Sequence, residues 1–230
     1  MTEAVRQVSG EDIEITGASR TDSGAHAKGQ VFHFDTGVPI ATTVWPRALN
    51  RVLPADVRIV SAKHAQPSFH SRFCARDRAY RYAILLSGGD PFRARYAHEC
   101  LKPLDLALMQ EAAKFLVGKH DYRAFTEELQ PHIDNTSRTM RSVTVSQVRD
   151  QVFIDIVGTA FLRGMMRRMS GALLEVGRGR RSVQNVADLL TEKRNEMHWP
   201  EVLPAKGLTL MAIRYGRHPK DNRNNETASF

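Results

Sequence analysis

"IEITGASRTDSGAHAKGQVFHFDT" (Ile13–Thr36) decides the fold. Ile13 and Ile15 alternate with polar residues; further on, Phe32 and Phe34 share one face while Val31 and His33 share the other. Such period-two patterning predicts two strands. Between them, Thr21-Asp22-Ser23-Gly24 is turn chemistry, because Asp bonds nearby backbone and Gly accepts a positive φ. An Asx-turn would account for Asp22 by itself. The second reading is an ionised carboxylate on a loop held by a rigid sheet, kept charged by Arg20 and by another cation from elsewhere, as a nucleophile or base requires.

Working outward, Thr2–Val8 predicts a helix with Ala4, Val5 and Val8 on one side, ended by Gly10. "TTVWPRALNRVLP" (Thr42–Pro54) predicts a short helix stopped by Pro54, and "DVRIVSAKHA" (Asp56–Ala65) a third strand. "RFCARDRAYRYAILLSG" (Arg72–Gly88) reads as a long strand and Gly88–Glu99 as a loop. Pro103–His120 forms an amphipathic helix with Leu108, Ala112, Phe115 and Leu116 suited to the core. Glu127–Ser137 is a polar loop, and Thr139–Gly158 a hairpin turning near Arg149-Asp150. In "AFLRGMMRRMSGALLEVGRG" (Ala160–Gly179), Leu162, Met166, Met169, Leu173 and Val176 fall on one helical face, with Gly177 suited to the end. Ser182 caps a helix over 183–194, and Gly207–Tyr215 is a final strand.

This order predicts an α+β protein: two similar α/β halves forming a largely antiparallel central sheet with flanking helices. The expected division is 1–66, carrying the Asp22 loop; 67–215, carrying the Tyr strand and the Arg helix; and 216–230, a disordered polar tail.

The 230 residues carry a net charge of +8 and a pI near 9.8, which suits a polyanionic partner such as nucleic acid. No apolar run is long enough to predict a membrane helix, and "MTEAVRQVSG" has no signal-peptide core. Cys74 and Cys100 lack metal or disulfide spacing and read as reduced thiols of a cytoplasmic protein. With no P-loop, Rossmann fingerprint or HExxH-type set, neither a metal nor a nucleotide cofactor is expected.

Arg78, Tyr80 and Tyr82 share one strand face, either as packed core aromatics, with Tyr82 buried and Tyr80 at the edge, or with a Tyr stacking on a base. Arg163 and Arg167 lie four apart on the long helix with Arg168 beside them, as a solvated stripe or as partners of a carboxylate. Arg167 adjoins the apolar face at Met166, and Asp22 is a candidate partner. His26 and His70 read as structural, each hydrogen-bonding within its own turn.

"GASRTDSGAHAKGQVFHF", "FHSRFCARDRAYRY", "HDYRAF", "AFLRGMMRRMSGALLEVG" and "PAKGLTLMAI", taken together and in this order, resemble the tRNA pseudouridine synthase A family up to about Tyr215. The resemblance implies a pseudouridine synthase-like fold and conversion of uridine to pseudouridine at positions 38 to 40 of the tRNA anticodon arm. It further implies no cofactor and a homodimer in which tRNA contacts both subunits. It places Asp22 at the essential aspartate, Tyr80 against the target base, Arg167 as the helix Arg paired with the carboxylate and Leu208 in the pocket lining. Arg20, next to the Asp22 turn, is a further candidate substrate-binding residue. Ser19 and Ala25 stand where the family has Gly and Val, and the family's Tyr-Asp-Gly-Thr strand and Gly-Trp-Gln loop are expected to be missing ahead of the first helix. The competing reading is a non-catalytic or truncated RNA-binding protein of the same fold.

Overall fold

The computed structural model describes residues 1–126 and 135–216. Most of the predicted polar loop and the tail past Gly216 lie outside the described residues. In chain order the elements are α1 (Thr2–Ser9), β1 (Thr16–Gly17), β2 (His26–Ala27), β3 (Phe32–His33), α2 (Trp45–Val52), β4 (Ala75–Leu85), β5 (His98–Glu99) and α3 (Leu106–Phe115). There follow β6 (Gly118–Asp121), β7 (Ser137–Val148), β8 (Gln151–Gly158), α4 (Met165–Gly177), α5 (Val183–Asp188) and β9 (Leu208–Tyr215). The class is α+β. Residues 1–20 and 31–75 form one compact unit; residues 21–30 and 76–215 form another. The Asp22 turn therefore belongs to the second unit, although most of its sequence neighbours belong to the first.

The second unit is built on a seven-stranded sheet in the order β2-β9-β4-β8-β7-β6, with β5 pairing on β4. The long pairings β4–β8, β7–β8 and β6–β7 are antiparallel, whereas the two-residue pairings β2–β9 and β4–β5 are parallel. β7 and β8 join at Arg149-Asp150, where Arg149 takes the left-handed conformation with φ 55° that such tight hairpins require. Val152, Ile154 and Ile156 alternate inward, as the period-two pattern dictates, and join Tyr82, Ile84 and the apolar side chains of α3 and α4 in one core.

α4 is buried along most of its length, from Met165 and Met166 through Met169, Ala172, Leu173 and Leu174 to Val176, which makes it the central helix of this unit. On α3 the core positions are Met109, Ala112, Ala113 and Leu116, in 3-4 spacing. Leu108 and Phe115, assigned inward from sequence, are instead half-exposed. Asp105 caps this helix by accepting the Leu108 N–H at 3.0 Å. α5 ends at Asp188, short of the predicted Arg194; the Thr191 hydroxyl there accepts the Lys193 N–H and starts a separate 3-10 turn.

The first unit has a small core of Ala4, Val5, Ile13, Trp45 and Leu49. Its predicted strands shrink to one antiparallel pair, Thr16–Gly17 against Phe32–His33. The strand expected over 56–65 does not form. Ile59 finds its ladder partners in one side chain instead: Asn50 Nδ2 donates to the Ile59 carbonyl at 2.9 Å, and the Ile59 N–H donates to Asn50 Oδ1 at 2.8 Å. The primary amide thus satisfies both backbone groups of Ile59 in the way a neighbouring strand would. No helix among the described residues is long and apolar enough to cross a membrane.

Candidate active site

The Ala25 N–H donates to the Asp22 carbonyl at 3.0 Å, closing a four-residue turn. Gly24 holds its third position at φ 83°, a conformation that only glycine adopts without strain. Beyond the turn, His26 and Ala27 pair with Thr209 and Leu210 of β9, and the N–H groups of Lys28 and Gly29 both donate to the Leu210 carbonyl. A Cβ at Gly29 would stand 2.4 Å from the Met211 carbonyl oxygen, so glycine lets the chain run close against β9. Asp22 is thus fixed at a sheet edge.

Opposite it stands Arg167, in the first turn of α4. Its Nη1 lies 3.2 Å from Asp22 Oδ2, and its Nε donates to the Leu203 carbonyl at 2.6 Å. Side-chain exposures of 18% for Arg167 and 25% for Asp22 leave the pair shielded yet reachable. The guanidinium thus contacts both a charge, on Asp22, and a peptide dipole, at Leu203.

The segment that supplies the Leu203 carbonyl is laced along its length. The Pro200 carbonyl accepts from Arg168 Nη1 at 2.7 Å, and the Pro204 carbonyl accepts from the Tyr82 hydroxyl at 2.8 Å. The Glu201 N–H donates to Glu175 Oε1 at 3.0 Å. A Cβ on Gly171 would meet the Glu201 carbonyl oxygen at 2.0 Å, so α4 and this segment approach backbone to backbone. Gly207 in turn packs against the Tyr82 ring. Burial holds the Tyr82 phenol well above its ordinary range, opposed in part by the Arg167 charge, so the hydroxyl stays a donor.

The structure brings Asp22 and Arg167 together. Tyr80 is buried on β4, opposite Ile156 and edge-on to Phe161 at 5.0 Å. Leu208 opens β9 and is buried in the same core as Tyr80. Arg20 is exposed and belongs to the first unit. His26 bonds outside its own turn, with Nε2 3.2 Å from the Arg95 carbonyl and its ring 4.7 Å from Tyr96. His70 does bond locally, through Nδ1 to the N–H groups of Arg72 and Phe73.

Residues 112–216 match the family described as tRNA pseudouridine synthase. A curated tRNA pseudouridine synthase A of Brevibacillus brevis is 38% identical over 213 residues, covering 92% of this chain and 86% of the relative. That of Moorella thermoacetica has the same identity and coverage, and that of Maridesulfovibrio salexigens is 34% identical over 94% of this chain and 80% of its own length. The chain belongs to the tRNA pseudouridine synthase A family. Its enzyme class is accordingly isomerase. Within this synthase, the Leu203 carbonyl that accepts from Arg167 and the Pro204 carbonyl that accepts from Tyr82 escape sequence reading, because a backbone acceptor leaves no letter in the sequence. The glycines at 171 and 207 are the trace they do leave, since each marks a close approach.

Proposed function

We propose that this protein isomerises uridine to pseudouridine in tRNA, at positions 38 to 40 of the anticodon arm, with Asp22 as nucleophile. The observation that carries the reading is the Asp22–Arg167 pair at 3.2 Å, with Arg167 anchored a second time on the Leu203 carbonyl. The reaction breaks the bond between the uracil nitrogen and the sugar, turns the base and rejoins it through carbon. A neutral oxygen is a weak nucleophile for this, whereas an ionised carboxylate suits it. Arg167 keeps that carboxylate oriented in a half-shielded site, where a fixed cation also stabilises developing negative charge.

The target base must leave its stack to reach Asp22. Tyr80 takes the detached base against its ring, Leu208 lines the pocket and Arg20 meets the substrate. The protein works without a cofactor, in the cytoplasm, as a homodimer. The roles of Tyr80 and Leu208 rest on their family positions, and that of Arg20 on its place beside the Asp22 turn.

The test is Asp22→Asn, which keeps the shape and removes the charge. With tRNA carrying labelled uridine, wild type is expected to form pseudouridine and the variant none, with tRNA binding retained. Product from Asp22→Asn equal to wild type would overturn the nucleophile; binding without product from wild type would favour a non-catalytic RNA-binding protein.

A further inference from the structure

In the first unit the turn His70–Cys74 is closed by its own groups: the Cys74 N–H donates to the His70 carbonyl at 2.9 Å, and the His70 N–H donates to Cys74 Sγ at 3.3 Å. Buried Ser71 pins it from beneath, its Oγ donating to the Thr16 carbonyl at 2.8 Å and its N–H to His33 Nδ1 at 3.3 Å. His70 Nδ1 accepts from the N–H groups of Arg72 and Phe73, both at 3.2 Å, which places the proton of the neutral ring on Nε2.

Three rings follow in series. His33 lies 4.9 Å from His70, and His70 lies 4.2 Å from Phe73 at an interplanar angle of 30°. The series ends at Phe73, which is 78% exposed. The Arg72 guanidinium lies 6.0 Å from the centre of that ring. A large apolar ring on a mobile loop would fold back onto the surface. Here the tied backbone holds it outward, so its exposure is built into the turn.

We propose that Phe73 is a stacking platform for an unstacked base of the RNA substrate, with Arg72 meeting the adjoining phosphate. The inference rests on the RNA-substrate reading above and extends it to a second contact. A π-face beside a cation, on a protein of net charge +8, matches the chemistry of a splayed nucleotide. The ring discriminates poorly among bases, because every base has a π-face, so the platform grips RNA without specifying its sequence.

The test compares full-length wild type, Phe73→Ala, Phe73→Trp and Arg72→Gln for binding to a tRNA transcript at two salt concentrations, together with pseudouridine formation. Phe73→Ala is expected to weaken binding by on the order of tenfold to a hundredfold, with the loss in KM, and Phe73→Trp to restore it within about threefold. Arg72→Gln should flatten the salt dependence while leaving the aromatic contribution in place. Wild-type affinity in Phe73→Ala, or equal weakness in the Ala and Trp variants, would overturn the platform. So would a sedimentation shift in Phe73→Ala, since the ring would then cover a second copy. If wild type binds tRNA but makes no pseudouridine, the catalytic reading fails while the platform is still decided by binding. Failure of wild type to bind tRNA removes both.

Discussion

The contacts of Arg167 with the Asp22 carboxylate and with the Leu203 carbonyl differ in kind, and a substitution can separate them. Arg167→Lys keeps a cation but gathers its donors on a single nitrogen, which cannot take the places of both Nε at the Leu203 carbonyl and Nη1 at Asp22. We expect kcat to fall about a hundredfold or more with stability little changed, in single-turnover assays; Arg167→Met should in addition lower the denaturation midpoint, because the half-buried carboxylate loses its counter-charge. Equal kcat in Lys and Arg forms would rule out this clamp. Tyr82 is testable through pH. Its phenol is held above its ordinary range by burial in the folded state, as is that of Tyr122. Below pH ~10 both folded and unfolded forms are protonated and the stabilisation is complete; above it the unfolded chain ionises while the folded one resists, so stability falls as pH rises. The alkaline loss should be visibly shallower in Tyr82→Phe, measured by urea unfolding between pH 9 and about 11. An unchanged alkaline slope would mean that Tyr82 is not held in the protonated form. At neutral pH the same variant loses only one hydrogen bond, at a cost of about 1 kcal/mol.

Among the elements, α4 and the 200–207 segment form a matched pair. Gly171→Ala improves helix propensity by about 0.5–1 kcal/mol, yet its methyl group would meet the Glu201 carbonyl, which is backbone and cannot step aside cheaply. Overpacking should win, giving a net destabilisation of about 1–3 kcal/mol by denaturant titration, together with reduced turnover as the Leu203 carbonyl shifts. A more stable Gly171→Ala protein would show that the approach is not tight. The same elements reveal what the sequence could convey. The β7–β8 hairpin and the apolar seam of α4 were legible, because a half-buried strand must alternate and a buried helix must repeat at 3-4 spacing. The face of α3 was misjudged at Leu108 and Phe115, since Ala113 and Met109 satisfy the same spacing one step round. The stretch 56–65 reads as a strand but forms none; the Asn50 side chain takes both backbone groups of Ile59, and no local pattern announces that. Of the site, Asp22 and Arg167 could be singled out by charge beside a turn and beside an apolar face. Their meeting across 145 positions of sequence follows from the pairing of β2 with β9 and from α4, which no local pattern encodes.

For the molecule as a whole, the two units differ in how much they bury. Among the described residues the first unit has a core cluster of five buried residues and one two-residue strand pair, while the second owns the seven-stranded sheet and the central helix. Stability therefore should be uneven, with the first unit opening at lower free energy. The two tryptophans report this directly: Trp45 is buried in the first unit at 5% exposure, whereas Trp199 in the second is 40% exposed. Tryptophan emission is expected to shift at lower urea than the far-ultraviolet signal of the sheet and helices. Coincident transitions would show one cooperative unit. The net charge of +8 makes tRNA affinity steeply salt-dependent, with at least about a tenfold loss expected between 50 and 200 mM salt; a flat titration would contradict a phosphate-dominated grip.

The lacing of residues 200–207 has a consequence for how this chain can change over time. Arg168, Arg167 and Tyr82 each read a carbonyl, at Pro200, Leu203 and Pro204. Every residue type supplies a carbonyl, so drift in the letters can leave these three bonds intact wherever packing permits. Gaining or losing a single residue between Pro200 and Leu203 cannot, because the acceptors on its two sides then no longer match their donors together. This stretch should tolerate exchange of letters far better than any change in their number.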